Sequence, residues 1–173
     1  MTAAEVLTAA GARGWTVGVA ESLTGGLVTA TLVSVPGASA VLRGGVVAYA
    51  TDLKAGLLGV DADLLNEYGA VDPRVAAQMA TGVRVATGAD VGLATTGVAG
   101  PDPQDGKEPG LVYVAVSTPD SEEVRRLRLG GERSEVIGAA ARGVLELALE
   151  VLARIPGQDA ATADPGATEV TVG

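Results

Sequence analysis

The chain has 173 residues, enough for one ordinary domain with a buried core. It contains 12 Lys and Arg against 21 Asp and Glu, and the resulting net charge of −9 argues against a nucleic-acid partner. Histidine and cysteine are both absent, which excludes His-based triads, Cys nucleophiles, Cys and His zinc sites and disulfides. Any catalysis therefore has to use Ser, Thr, Lys, Tyr, Asp or Glu.

The N-terminal half predicts helices that alternate with short buried strands. In chain order we expect a helix ending near residues 11–14, a strand at 16–20, a helix from Thr24 to the Pro36-Gly37 turn, a strand at 45–50, and short helices ending at residues 58 and 68. This alternation is typical of an α/β domain with a partly parallel sheet.

The second half predicts a helix from Asp72-Pro73 to about Gly88, a strand at 91–96, a long loop at 97–110, an antiparallel pair at 111–117 and 122–129, and a long helix at 134–154. We therefore expect a single layered α/β/α domain over residues 1–155, with a mixed sheet flanked by helices. Residues 156–173 have almost no bulky side chains, which predicts a disordered tail.

Residues 22–42 have no charge over a length that a membrane helix would need. Ten of them are Ser, Thr, Gly or Pro, which favours buried core and turns over a membrane span. The N-terminus also lacks the basic and apolar regions of a signal peptide. We expect a cytoplasmic protein with no membrane partner.

Two strand-to-loop transitions are rich in small residues, namely Glu21–Gly26 and Thr96–Pro101. Such loops lie at the carboxyl ends of strands, where α/β sheets bind ligands, and Thr24 to Gly26 also begin a helix that favours an anion. Ordinary glycine turns explain either segment alone better than ligand binding does, whereas the two segments together favour neither explanation. Neither the Walker nor the dinucleotide-binding pattern is matched, and helix caps and turns explain the acidic residues better than a metal does. We predict no cofactor and no metal.

The candidate set with the clearest catalytic potential consists of Ser39, Tyr49 and Lys54. A lysine activates a serine only when its amine is neutral, which requires a pKa lowered from ~10.4 toward ~7–8. A helix N-terminus and apolar surroundings both act in that direction. Taken singly, each residue is better explained structurally, as a turn serine, a core tyrosine or a solvated helix lysine.

Taken together, the motifs resemble the CinA C-terminal domain family, which includes the stand-alone nicotinamide-nucleotide amidohydrolase PncC. The resemblance covers about residues 5–154 and rests on Ala20-Glu-Ser-Leu-Thr-Gly-Gly26, Pro36-Gly-Ala-Ser39, Tyr49 with Lys54, Gly69-Ala-Val71, Thr96-Gly-Val-Ala-Gly-Pro-Asp102 and Gly131-Glu-Arg133. No counterpart of the family's N-terminal domain is present, so we expect the stand-alone form.

The resemblance implies hydrolysis of the carboxamide of nicotinamide mononucleotide to nicotinic acid mononucleotide and ammonia, in pyridine-nucleotide salvage. It assigns Ser39 as nucleophile, Lys54 as base and Tyr49 as assisting hydroxyl, without metal or cofactor. The substrate contacts that we expect are Glu21, Thr24, Gly25, Gly26, Thr96, Gly97, Ala99, Gly100 and Arg133. It also implies a small-molecule partner and a homo-oligomer.

Several positions depart from the family pattern. Leu23 replaces a cysteine, Glu108-Pro109 and Leu111 differ from the usual loop, and Ile137 stands where an arginine is usual. If that arginine holds a phosphate, substrate affinity is weakened here. An alternative function is therefore a non-catalytic nucleotide-binding or interaction module with the same fold.

Overall fold

A computed structural model describes residues 2–155 of the chain. The predicted tail at 156–173 lies outside the described residues. The helices are α1 Thr2–Gly11, α2 Leu27–Val33, α3 Thr51–Leu58, α4 Ala62–Tyr68, α5 Pro73–Thr87 and α6 Arg133–Arg154, with a short 3-10 turn at Ala38–Ala40. The strands are β1 Val17–Glu21, β2 Leu42–Val47, β3 Val91–Gly97, β4 Leu111–Ser117 and β5 Glu122–Arg128.

The five strands form one mixed sheet in the order β2-β1-β3-β4-β5. Strand β1 pairs in parallel with both β2 and β3, whereas β3, β4 and β5 pair antiparallel. The predicted α/β domain with a mixed sheet and flanking helices is confirmed. The carboxyl ends of β1, β2 and β3 consequently meet at one edge, together with the start of β4.

The sheet separates two apolar layers. Val17 and Val19 pack in a larger core cluster with side chains of α1, α2 and α6. Ala20 packs on the opposite face, in a second cluster with side chains of α3 and α5. Successive side chains of a strand alternate between faces, so this pattern follows directly from the register of β1.

Helix α3 is held very close to α5 at Gly82. A Cβ at that position would lie 1.8 Å from the main-chain oxygen of Leu58, so only glycine permits this approach. The contact secures the C-terminal end of α3 against the helix that covers the sheet. It thereby helps to position Lys54, which lies in the middle of α3.

Strand β2 spans residues 42–47 and not the predicted 45–50. Leu42 and Gly44 extend the parallel pairing with β1 toward the N-terminus, opposite Val17 and Gly18. After Val47 the chain turns away into α3, and the oxygens of Ala48 and Tyr49 accept hydrogen bonds from the Lys54 amine.

Within residues 2–155, every helix is too short or too polar to cross a membrane. The uncharged stretch 22–42 is divided between α2 and the 3-10 turn that precedes β2.

Candidate active site

A small cavity opens at the edge of the sheet where β1 and β3 end. Its volume is about 90 Å³, and Ser22, Leu23, Tyr49, Ala70, Val71, Thr96, Gly97, Ala99, Gln104 and Arg133 line it. Ligands of open α/β sheets bind at this edge because loops that follow different strands converge there. The cavity is therefore the candidate active site.

Lys54 is buried, with 1% of its surface exposed, and its amine contacts the main chain of Tyr49, a residue of the cavity lining. Its Nζ donates to the oxygen of Ala48 at 2.9 Å and to that of Tyr49 at 3.4 Å. Burial lowers the pKa of the amine from 10.5 to about 8, although the nearby charge of Asp52 opposes the shift. A usable fraction of the amine is consequently neutral near physiological pH.

Ser22 follows the last residue of β1 and is 8% exposed. Its N–H donates to Thr95, while the N–H of Ala48 donates to the oxygen of Glu21, so residues 22 and 48 leave neighbouring strands side by side. Neighbouring strands lie about 4.8 Å apart. The Ser22 hydroxyl, which makes no hydrogen bond to residues 2–155, thus lies at the same end of the sheet as the Lys54 amine.

Tyr49 and Arg133 form one wall of the cavity. One nitrogen of the Arg133 guanidinium donates to the Tyr49 hydroxyl at 2.9 Å, and another donates to the oxygen of Gly100 at 2.9 Å. This fork joins the segment after β2, the loop after β3 and the beginning of α6. Since the phenol oxygen accepts from Arg133, its own proton remains available to a ligand.

The structure does not bring Ser39 and Lys54 together. Ser39 lies in the 3-10 turn before β2 and lines a different groove, with Thr29 and Arg43, whereas Lys54 follows β2. The six residues of β2 therefore lie between them. At 3.3 Å per residue this strand alone is about 17–20 Å long, so the two residues lie beyond its opposite ends and out of hydrogen-bonding reach. The predicted Ser39–Lys54 pairing is wrong.

Comparison with known proteins identifies the family of this chain. The CinA C-terminal domain model matches residues 1–152. The chain belongs to the CinA C-terminal domain family. A CinA-like protein of Frankia casuarinae is 48% identical over 155 residues, which cover 90% of this chain and 36% of that protein. The chain therefore spans about a third of the length of the curated relatives that it matches.

Solved structures of this family share the fold. The competence damage-inducible protein A of Klebsiella pneumoniae has a TM-score of 0.86 at 33% identity, covering 90% of this chain and 97% of that one. The competence/damage inducible protein CihA of Agrobacterium tumefaciens has a TM-score of 0.83 at 35% identity, with coverages of 88% and 93%.

Within the CinA motif at 20–26, Glu21 has a structural role and not the predicted one at the ligand. Its side chain is fully buried, and its two carboxylate oxygens accept hydrogen bonds from the N–H groups of Gly26, Val28 and Thr29 and from the Thr29 hydroxyl. Glu21 is the residue after Ala20, so strand alternation directs it to the α2 face of the sheet. It supplies the negative charge that a helix start favours.

The predicted phosphate contacts at Thr24, Gly25 and Gly26 are not at the cavity either. The Thr24 hydroxyl is buried and hydrogen-bonded to the Thr95 hydroxyl at 2.7 Å. Gly25 and Gly26 have φ values of 58° and 106°, which the turn into α2 requires of them. Because Glu21 already occupies the donors at the start of α2, an added phosphate would meet a carboxylate there.

The loop after β3 supplies most of the other predicted residues. Thr96, Gly97 and Ala99 line the cavity, and the Thr96 hydroxyl donates to the oxygen of Ala70 at 2.7 Å. Gly100 is outside the lining, and its oxygen accepts from Arg133. Among residues 2–155, no group of three or more acidic side chains is arranged to hold a metal ion.

Three functional candidates were missed from the sequence, namely Ser22, Leu23 and Gln104. Ser22 and Leu23 lie inside the motif at 20–26, and Gln104 belongs to the long loop that already suggested a function. One sequence signal could have identified Ser22. It directly follows the buried strand β1, and because the Glu21 side chain points to the α2 face, strand alternation points the next side chain to the other face.

Proposed function

We propose that this chain hydrolyses the carboxamide of a pyridine nucleotide, with nicotinamide mononucleotide giving nicotinic acid mononucleotide and ammonia. The observation on which this depends is the buried Lys54 amine, whose pKa is lowered to about 8, at the strand end where Ser22, whose hydroxyl has no hydrogen-bond partner within residues 2–155, lines a cavity. A serine with a lysine base suits a chain without histidine or cysteine. The pyridine nucleotide comes from the resemblance to the amidohydrolases of the CinA family.

In this scheme Ser22 replaces Ser39 as the nucleophile. Neutral Lys54 takes the Ser22 proton as the hydroxyl oxygen attacks the amide carbon, and the proton then passes to the departing nitrogen, which leaves as ammonia. Water next attacks the acyl-serine, Lys54 takes a proton from the water and passes it to the departing Ser22 oxygen, and the acid is released. The net reaction consumes one water and needs neither metal nor cofactor.

The oxyanion that forms during attack requires donors that are already in place. The N–H of Leu23 directly follows the nucleophile, and neither it nor the N–H of Ala99 donates to an acceptor in residues 2–155, although both residues line the cavity. One such donor is commonly worth about 3–4 kcal/mol of barrier. We assign these two main-chain groups to the oxyanion.

The cavity of about 90 Å³ is smaller than the ~300–1,000 Å³ of typical ligand sites. It suits the carboxamide end of the substrate, so the ribose and phosphate extend past Tyr49 and Arg133. Arg133 is the cation in the cavity lining, and we assign the phosphate to its side. Ile137 packs against the larger core cluster, so its replacement of an arginine removes a charge without disturbing the cavity wall.

The partner of this site is thus a small molecule, and we place the reaction in the cytoplasm, without nucleic acid or membrane. A homo-oligomer remains a prediction. Size-exclusion chromatography with light scattering measures it directly.

Incubation of the purified chain with nicotinamide mononucleotide tests the function. We expect stoichiometric release of ammonia and nicotinic acid mononucleotide, unchanged by a metal chelator. A folded chain that releases neither product contradicts the proposal. Stabilisation by the mononucleotide in a thermal-shift measurement, without product, would instead support the non-catalytic binding module.

A further inference from the structure

The loop between β3 and β4 contains a tight turn at Gln104-Asp105-Gly106-Lys107. The N–H of Gln104 donates to the oxygen of Lys107 at 3.1 Å, and the N–H of Lys107 donates back at 2.8 Å. Asp105 and Gly106 both have positive φ, of 49° and 69°, as a two-residue hairpin of this type requires. Both main-chain polar groups of Gln104 are therefore used inside the turn.

This turn is fixed against the rest of the domain at two points. The Lys107 amine donates to the oxygen of Tyr68 at 3.1 Å. The Asp105 carboxylate lies against Gly69, where a Cβ would be 2.8 Å from one of its oxygens. These contacts place Gln104 beside the cavity and limit its freedom to leave it.

The side-chain amide of Gln104 is the remaining polar group of that residue, and it makes no hydrogen bond to residues 2–155. Gln104 lines the cavity together with Ser22 and Thr96. A carboxamide has one acceptor oxygen and two N–H donors, which is complementary to another carboxamide. A carboxylate has acceptors only.

We propose that Gln104 determines specificity for the carboxamide, with its Oε1 accepting an N–H of the substrate amide as Ser22 attacks. The assignment rests on the proposed function and adds to it the residue that distinguishes the amide substrate from the acid product. Gln104 acts by binding and takes no part in proton transfer, so its loss weakens substrate binding more than it slows the chemical step.

Two substitutions of Gln104 separate these effects. Gln104→Ala removes the acceptor, and we expect KM for nicotinamide mononucleotide to rise about two- to tenfold with kcat changed much less. Gln104→Glu retains an acceptor but repels the carboxylate of the product. We expect KM within about threefold of the wild type and a product-inhibition constant raised at least fivefold.

Glu108→Ala is the matched control, since Glu108 is an exposed side chain of the same loop outside the cavity lining. It should leave KM and product inhibition unchanged. Melting temperatures of all three variants verify that the loop remains folded. An active wild type whose KM is unchanged in Gln104→Ala, or whose product inhibition is unchanged in Gln104→Glu, overturns this assignment alone.

Calorimetric titration with the amide and acid mononucleotides provides a readout that is independent of turnover. If the wild type binds without reacting, the ratio of the two dissociation constants should still shift toward the amide by at least fivefold in Gln104→Glu. An unshifted ratio overturns the assignment. A wild type that neither binds nor reacts overturns the proposed function and this assignment together.

Discussion

The guanidinium of Arg133 donates to the hydroxyl of Tyr49 at 2.9 Å, although 84 residues separate the two in the sequence. The same guanidinium donates to the oxygen of Gly100, so one planar group joins three segments around the cavity. A lysine cannot reproduce this fork, because its three N–H donors share one nitrogen and do not form a planar fork. Arg133 therefore has two roles: it provides a positive charge at the cavity, and it orients the Tyr49 side chain.

This relationship predicts coupling between the two residues. We expect Arg133→Lys and Tyr49→Phe each to lower kcat/KM, and Arg133→Lys to have a smaller effect once the Tyr49 hydroxyl is gone. Residues in one hydrogen-bond network usually couple by about 0.5–3 kcal/mol. A double-mutant cycle of kcat/KM for nicotinamide mononucleotide measures the coupling, and strictly additive effects would contradict the orienting role.

Replacement of the two candidate serines distinguishes the nucleophile. Ser22→Ala should abolish ammonia release, because it removes the hydroxyl in the cavity, whereas Ser39→Ala should retain nearly full activity. Both serines precede or follow a strand and both changes delete one oxygen, so each variant controls for the other. Inactivity of Ser39→Ala with retained activity of Ser22→Ala would reverse the assignment.

The buried Lys54 amine makes stability depend on pH. Its folded-state pKa of about 8 lies below its ordinary 10.5, so the unfolded chain binds more protons between these values. Stability should therefore rise as the pH increases from about 8 to about 10.5, and the burial should cost at most about 3–4 kcal/mol at neutral pH. Urea denaturation of the wild type and of Lys54→Met over this range measures the difference.

Lys54→Met should be inactive yet at least as stable as the wild type at pH 7, because it replaces a buried amine with an apolar side chain only one atom shorter. Its stability advantage should shrink toward pH 10.5. The activity of the wild type should also rise through an apparent pKa of about 8 as the amine becomes neutral. A variant that is strongly destabilised at pH 7, or a flat pH–rate profile, would contradict this account.

Glu21 provides a stability prediction that is separate from the reaction. Glu21→Gln replaces one acceptor oxygen of the buried carboxylate with a donor, which then faces N–H groups at the start of α2. We expect a loss of about 2–4 kcal/mol in the free energy of unfolding. Chemical denaturation checks it.

Thr29→Val is the control for Glu21→Gln. It removes only the hydroxyl donor among the four hydrogen bonds that the Glu21 carboxylate accepts. Its loss should be about 1 kcal/mol. A Glu21→Gln variant that unfolds like the wild type would show that the carboxylate is dispensable at the start of α2.

Local sequence was sufficient to predict the order of helices and strands and the long loop after β3. It also indicated Tyr49 and Lys54 as candidate functional residues. Apolar periodicity and turn residues depend on near neighbours, so they are readable one segment at a time. The pKa of Lys54 also followed the direction expected from apolar surroundings. The motif at 20–26 was recognisable, but the roles of its side chains were not.

Those roles depend on direction and distance across the sheet, which no local pattern contains. Ser39 and Lys54 are 15 positions apart in the chain, yet β2 runs between them and separates them. Ser22 is about twice as far from Lys54 in sequence. It directly follows β1, the strand that pairs with β2, and therefore lies at the same edge of the sheet as Lys54. The pleat turns Glu21 to α2, and the fold of the loop at 104–107 brings Gln104 to the cavity. Strand alternation can be read from the sequence, but strand pairing is a tertiary property, and it decided which strand ends lie side by side.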